Sequence, residues 1–257
     1  MPNQETTLSG DLGLLETESL RFTGFLSSTE GTGPQNWWAE LTGAEPETRN
    51  SRPSLGQFQE AGPLNSYGLV LSMNPGRVDW LLTPSQRVGA PPDPKRAGPL
   101  AETLPFFVGL MTRWIGNGPE FTRIALGVVV HEPVPSREEA YRRLARYLPA
   151  VKVDPEGSSE LFYQVNRPRK SLVIDGLTVN RLSKWSVSFS VPFSFSLLSP
   201  AQGQFGRVSE GETTCRIELD INTDPMFSGS PRDLSSPRLL EEFVKLAEEI
   251  VTVGEIP

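Results

Sequence analysis

The chain has 257 residues and a net charge of −7, with 37% hydrophobic and 21% charged residues. That length can bury a substantial core as one large domain or two small ones, and the acidic balance argues against general nucleic-acid binding while leaving room for a local basic patch. A single Cys, Cys215, and a single His, His131, exclude an internal disulfide and a four-ligand zinc site.

Along the chain, residues 1–18 are polar and read as a flexible N-terminus without the basic end and apolar run of a signal peptide. "SLRFTGFL" (19–26) reads as a first strand. Residues 27–66 are rich in Gly, Pro, Ser and Thr and read as loop. The pair Trp37 and Trp38 within it either anchors that loop on the body or belongs to an interaction surface. "YGLVLSM" (67–73) and "RVDWLLT" (77–83) flank "NPG" and predict a β-hairpin. Leu100, Leu104, Phe107, Leu110, Met111 and Trp114 recur at helical spacing over 100–115, which admits Pro105 only in the first turn. A buried strand follows at 121–130. Ser136 and Glu139 then form a capping box ahead of an amphipathic helix over 136–148.

Residues 159–166 are a further strand candidate. In "WSVSFSVPFSFSLL" (185–198), Trp185, Val187, Phe189, Val191, Phe193, Phe195 and Leu197 alternate with polar residues and Pro192, placing seven side chains on one sheet face. "CRIELDIN" (215–222) also alternates, with Cys215, Ile217, Leu219 and Ile221 inward and Arg216, Glu218, Asp220 and Asn222 outward. Ser236 as cap and Pro237 at the first helical position open a final helix over 236–251.

A shift of 139 positions places Val78, Trp80 and Leu82 on Ile217, Leu219 and Ile221, and Phe107 on Leu246. Phe22 falls on Leu161. The loops between strand and helix have equal length. The expected fold is α+β: a mostly antiparallel sheet covered by helices, built from two related strand-loop-helix halves, 19–133 and 134–257, packed as one globular unit.

"GRVDWLLTPS", "LFYQVNRP" followed by "GLTVNRLSKW", and "RIELDINTDP" with "LLEEFVKLAEEI" resemble a sporadically distributed family of bacterial proteins of unknown activity. The resemblance spans most of residues 67–251. It implies a single-gene product encoded beside toxin, nuclease or defence genes, and it supplies no catalytic residue.

Chemistry-bearing groups are sparse. Asp220, Asn222 and Asp224 open like a calcium loop, but Pro225 and Pro231 stand where Gly and Glu are required, and the three read as polar beats of a strand and its closing turn. Glu218 and Asp220, about 7 Å apart on one strand face, are candidates for divalent-ion or acid–base work. His131 beside Glu132 is a candidate base, without a Gly-x-Ser-x-Gly nucleophile to activate. Cys215, on an apolar beat, reads as an inert core thiol. Arg167, Arg169 and Lys170 place cations at a hairpin tip. The expectation is a cytoplasmic, cofactor-free, non-enzymatic module that binds another protein, as a component of a toxin–antitoxin or defence system. The alternatives are a carboxylate-dependent hydrolase or nuclease, and nucleic-acid binding through the basic tip.

Overall fold

The computed structural model describes residues 12–26, 36–85, 96–190 and 211–255. Eleven antiparallel strands form one sheet: β1 (Glu16–Leu26), β2 (Thr48–Arg52), β3 (Gln57–Leu64), β4 (Tyr67–Asn74), β5 (Arg77–Pro84), β6 (Gly98–Pro99), β7 (Phe121–Val134), β8 (Phe162–Asn166), β9 (Arg169–Lys170), β10 (Thr178–Ser190) and β11 (Glu212–Thr223). The spatial order is β2-β3-β4-β5-β1-β7-β11-β10-β8, with β6 beside β1 and β9 beside β10. Helices α1 (Trp37–Thr42), α2 (Leu100–Asn117), α3 (Arg137–Tyr147), α4 (Pro231–Leu234) and α5 (Pro237–Val253) complete the fold. No helix among the described residues is long and apolar enough to cross a membrane.

Period-two alternation explains why the sheet has a dry face and a wet one. Phe22, Trp80, Leu126, Val128, Leu219 and Ile221 point inward and are fully buried under α2 and α5. Their neighbours Arg21, Asp79, Glu218 and Asp220 lie on the opposite face, which no helix among the described residues covers. The α2 stripe Leu100, Leu104, Phe107, Met111 is buried, as its spacing predicts.

The pairing register relates the two halves. Trp80 pairs with Phe22 and Leu219 with Val128, so the offset of 139 between Trp80 and Leu219 corresponds to 106 between Phe22 and Val128 (128 less 22). The same 106 carries Leu20 to Leu126, which pair with Leu82 and Ile221. In this register the counterpart of β1 is β7. Phe22 does not correspond to Leu161, because the loops after β1 and β7 differ in length. Phe107 is fully buried and Leu246 partly so, each packed against the core.

Several local expectations change. The segment 27–66 contains α1, β2 and β3. Helix α2 begins at Leu100, so Pro105 lies in its second turn. The carbonyl it leaves unbonded belongs to Ala101, and both residues are exposed, so water can solvate it. Ser136 Oγ accepts from the Glu139 N–H at 3.2 Å, as the capping box requires, whereas the Ser236 hydroxyl makes no cap bond. Strand β10 starts at Thr178, upstream of the alternating run. Trp185 is buried but Phe189 is exposed, and 191–198 lie outside the described residues.

Candidate functional site

Glu218 and Asp220 do share the uncovered sheet face, but neither carboxylate is free. Lys184 Nζ lies 2.7 Å from Glu218 Oε1 and Arg216 Nη1 lies 2.9 Å from Oε2. Burial works against the charge on Glu218, yet these two hydrogen bonds outweigh it and hold its pKa below the ordinary value. Asp220 accepts from Asn222 Nδ2 at 2.8 Å and faces Arg21 Nη2 at 3.7 Å. A pair already neutralised by three cations is a poor ligand for a fourth. No group of three His, Cys, Asp or Glu side chains among the described residues is placed to hold a metal ion. Asp224 closes the strand as a turn residue, its Oδ1 accepting from the Met226 N–H at 2.9 Å.

His131 lies within β7 and not at a strand end. Its Nε2 is 2.6 Å from Glu18 Oε2 and its Nδ1 is 3.0 Å from Thr214 Oγ1. The orienting carboxylate is thus Glu18, from β1, and not the adjacent Glu132. A register shift between Thr17 and Ser19 turns Glu18 toward this face. His131, then Arg216, hold the Glu18 pKa down at about 2. Glu132 points the other way, to Arg143 Nε at 3.2 Å and Tyr147 Oη at 3.2 Å. The Glu18–His131–Thr214 chain has the elements of a proton relay, but Thr214 is buried.

Cys215 is fully buried, donates its S–H to the Ala140 carbonyl at 3.3 Å, and has its pKa raised to about 12 by burial and then by Glu132. Trp37 and Trp38 also belong to the core. Trp37 packs edge-on against Trp114, with centroids 5.4 Å apart, and Trp38 stacks on Trp80 at 6.2 Å. They anchor α1 and present no ring to a partner, which removes them from any interaction surface. The basic tip is largely neutralised: Arg167 pairs with Glu255 and Arg169 with Glu249, both at 3.0 Å, and only Lys170 lacks a carboxylate partner among the described residues.

Two features escaped the sequence reading. First, two inward positions of β10 are polar where those of its counterpart β4 are apolar. Arg181 and Ser183 pair with Ile221 and Leu219, as Leu69 and Leu71 pair with Leu82 and Trp80. Ser183 Oγ donates to Glu255 Oε1 and accepts from Trp185 Nε1 at 2.9 Å. Arg181 is 1% exposed, its Nε and Nη1 find no hydrogen-bond partner among the described residues, and burial lowers its pKa.

Second, the segment after β9 carries apolar side chains into solvent. Leu172 is 94% exposed and Met226, on the neighbouring turn, 85%. The tip is nevertheless fixed. Glu242, buried on α5, accepts from Ser171 Oγ and from the Leu172 N–H, each at 2.6 Å. Ser171 Oγ in turn accepts from the N–H groups of Val173 and Ile174 at 3.1 Å. Between this tip and α5 runs a groove of about 440 Å³ lined by Lys170, Leu172, Val173, Arg238, Lys245 and Leu246, among others. Val173 also borders a second depression that contains Met226. Only a buried Glu flanked by helical apolar residues hints at this clamp in the sequence, and its partner lies 70 residues away.

No family model, curated protein or solved structure matches the chain.

Proposed function

We propose that the protein is a non-enzymatic interaction module that binds another protein through the 171–174 tip and its groove on α5. The supporting observation is the clamp of Glu242 on Leu172. An apolar side chain in water gains by leaving it. Here the backbone that carries the side chain is held by a buried carboxylate, so little ordering entropy remains to oppose association. The chemically active candidates are engaged elsewhere: Glu218 and Asp220 in ion pairs, His131 on Glu18, Cys215 in the core. A role in a toxin–antitoxin or defence system, as the resemblance implies, fits such a module.

The test is quantitative affinity enrichment from cells that express the protein, comparing the unaltered chain with Leu172→Asp and with Phe162→Ser. Phe162 is a similarly exposed apolar residue on β8. The expected result is a partner retained by the chain and by Phe162→Ser but lost by Leu172→Asp, with thermal melting unchanged in both. Identical enrichment by all three proteins would overturn the assignment.

A further inference from the structure

The groove between the 171–174 tip and α5 carries unmatched charge, and that charge specifies its occupant. Lys170, Arg238 and Lys245 line it, and none has a carboxylate partner among the described residues. Arg169 is bound to Glu249, whereas Glu242 accepts from the neutral Ser171 hydroxyl and Leu172 N–H and keeps its charge, and Glu241 has no cation partner among the described residues. Four cations (Arg169, Lys170, Arg238, Lys245) against three carboxylates (Glu241, Glu242, Glu249) leave the lining with one excess positive charge in a chain of net charge −7. The same lining carries the apolar side chains of Leu172, Val173 and Leu246.

We infer that the groove takes a short acidic segment of a partner protein, one that carries at least one large apolar side chain between its carboxylates. This rests on the interaction reading above and adds the chemistry of the partner. The apolar side chain fills the space between Leu172 and Leu246. The flanking carboxylates meet Lys170 on the tip side, and Lys245 and Arg238 along the helix. A nucleic-acid strand would match the cations but not the apolar floor. The cations also stand apart, on two elements, and do not form the continuous basic track with aromatic platforms that single strands use. Exposed ion pairs contribute little each, so apolar burial supplies most of the affinity while charge sets the choice of partner and the sensitivity to salt.

The experiment is selection of displayed random peptides, about a dozen residues long, against the full chain. Selected peptides should be enriched in Asp and Glu beside Leu, Ile, Phe or Met. Their affinity should fall about tenfold with Lys245→Glu or Arg238→Glu, and again with Leu172→Asp, and should weaken as salt rises. All of these side chains are exposed, so the variants keep the fold. The inference is overturned if no peptide is selected, if the selected peptides lack acidic enrichment, or if charge reversal leaves binding intact. Should those results coincide with partner loss in Leu172→Asp, the chemistry assigned to the groove fails while the interaction reading stands. If Leu172→Asp leaves partner capture intact, both fail. Self-association of the chain that Leu172→Asp abolishes would place a second copy in the groove and overturn the inference as well.

Discussion

Arg21 faces Gly127 across the β1–β7 ladder, and each occupies the place of the other when the two halves are exchanged. The offset of 106 that carries Phe22 to Val128 carries Arg21 to Gly127, so the axis relating the halves passes between them. A residue at such a point meets its own counterpart. Two arginines there would oppose like charges on adjacent strands, which destabilises a sheet. Glycine removes the conflict and opens a path: a Cβ at 127 would lie only 3.4 Å from the Cβ and Nε of Arg21. The arginine thereby reaches over β7 to Asp220, the Gly127 partner on β11. The duplicated register is thus broken in side-chain chemistry where strict symmetry would be unfavourable.

The same ladder contains a close fit that can be tested. A Cβ added to Gly24 would sit 2.3 Å from the Phe121 ring, itself fully buried against Phe22 and Trp114. Gly24→Ala is expected to cost about 1–3 kcal/mol through overpacking. Urea unfolding of Gly24→Ala, Phe121→Leu and the double variant measures the coupling. The double variant should lose less than the sum of the singles. Strict additivity would mean that the two side chains do not meet.

Cys215 is expected to react slowly with thiol reagents in the folded protein and rapidly in denaturant. Its thiol is buried, and burial raises its pKa to about 12, so little nucleophilic thiolate exists at neutral pH. The labelling rate should follow the opening of the surrounding structure. Fast labelling under native conditions would reverse the phase of β11, and with it the outward placement of Glu218 and Asp220.

Glu18 predicts a pH dependence. Its carboxyl falls from an ordinary value of 4.5 to about 2 in the folded protein, through His131 first and Arg216 after it. A depressed carboxylate stabilises the fold fully above its unfolded pKa, and that contribution is lost as pH falls through the folded value. Comparing Glu18→Gln with the unaltered protein by chemical denaturation from neutral pH downward tests this. On the acid side, the stability difference should shrink as pH falls below about 5 and be lost once pH falls below about 2. A difference that does not change with pH would show that the Glu18 charge is not what His131 and Arg216 bind.

Much of the sheet was legible because its central strands obey simple alternation. Ile217, Leu219 and Ile221 gave the phase of β11, and the "NPG" turn gave the β4–β5 hairpin, where Gly76 adopts φ 72°. The strands β2 and β3 were hidden for the opposite reason. All five residues of β2 are exposed at the sheet edge, so no apolar period marks it. The first half of β10 was hidden because two of its inward positions are Arg181 and Ser183. Alternation assumes that inward means apolar, and it fails where the core is polar. The site was less legible still. Glu18 reaches His131 through a one-residue shift in register, and Glu242 clamps a backbone N–H that is remote in sequence. Such relations exist only once the strands are paired.

The seam between β1 and β7 also shapes how the chain is made. On a ribosome, the first half emerges with β5 available to one edge of β1, but the other edge waits for residues 121–134. Until then an eleven-residue strand with a fully buried Leu20–Phe22 side in the finished protein stands unpaired along one margin. An open edge of that length is a template for any other extended chain nearby. The strand that closes it belongs to the same polypeptide and arrives later in translation. The second half is therefore, in time as well as in space, the protector of the first.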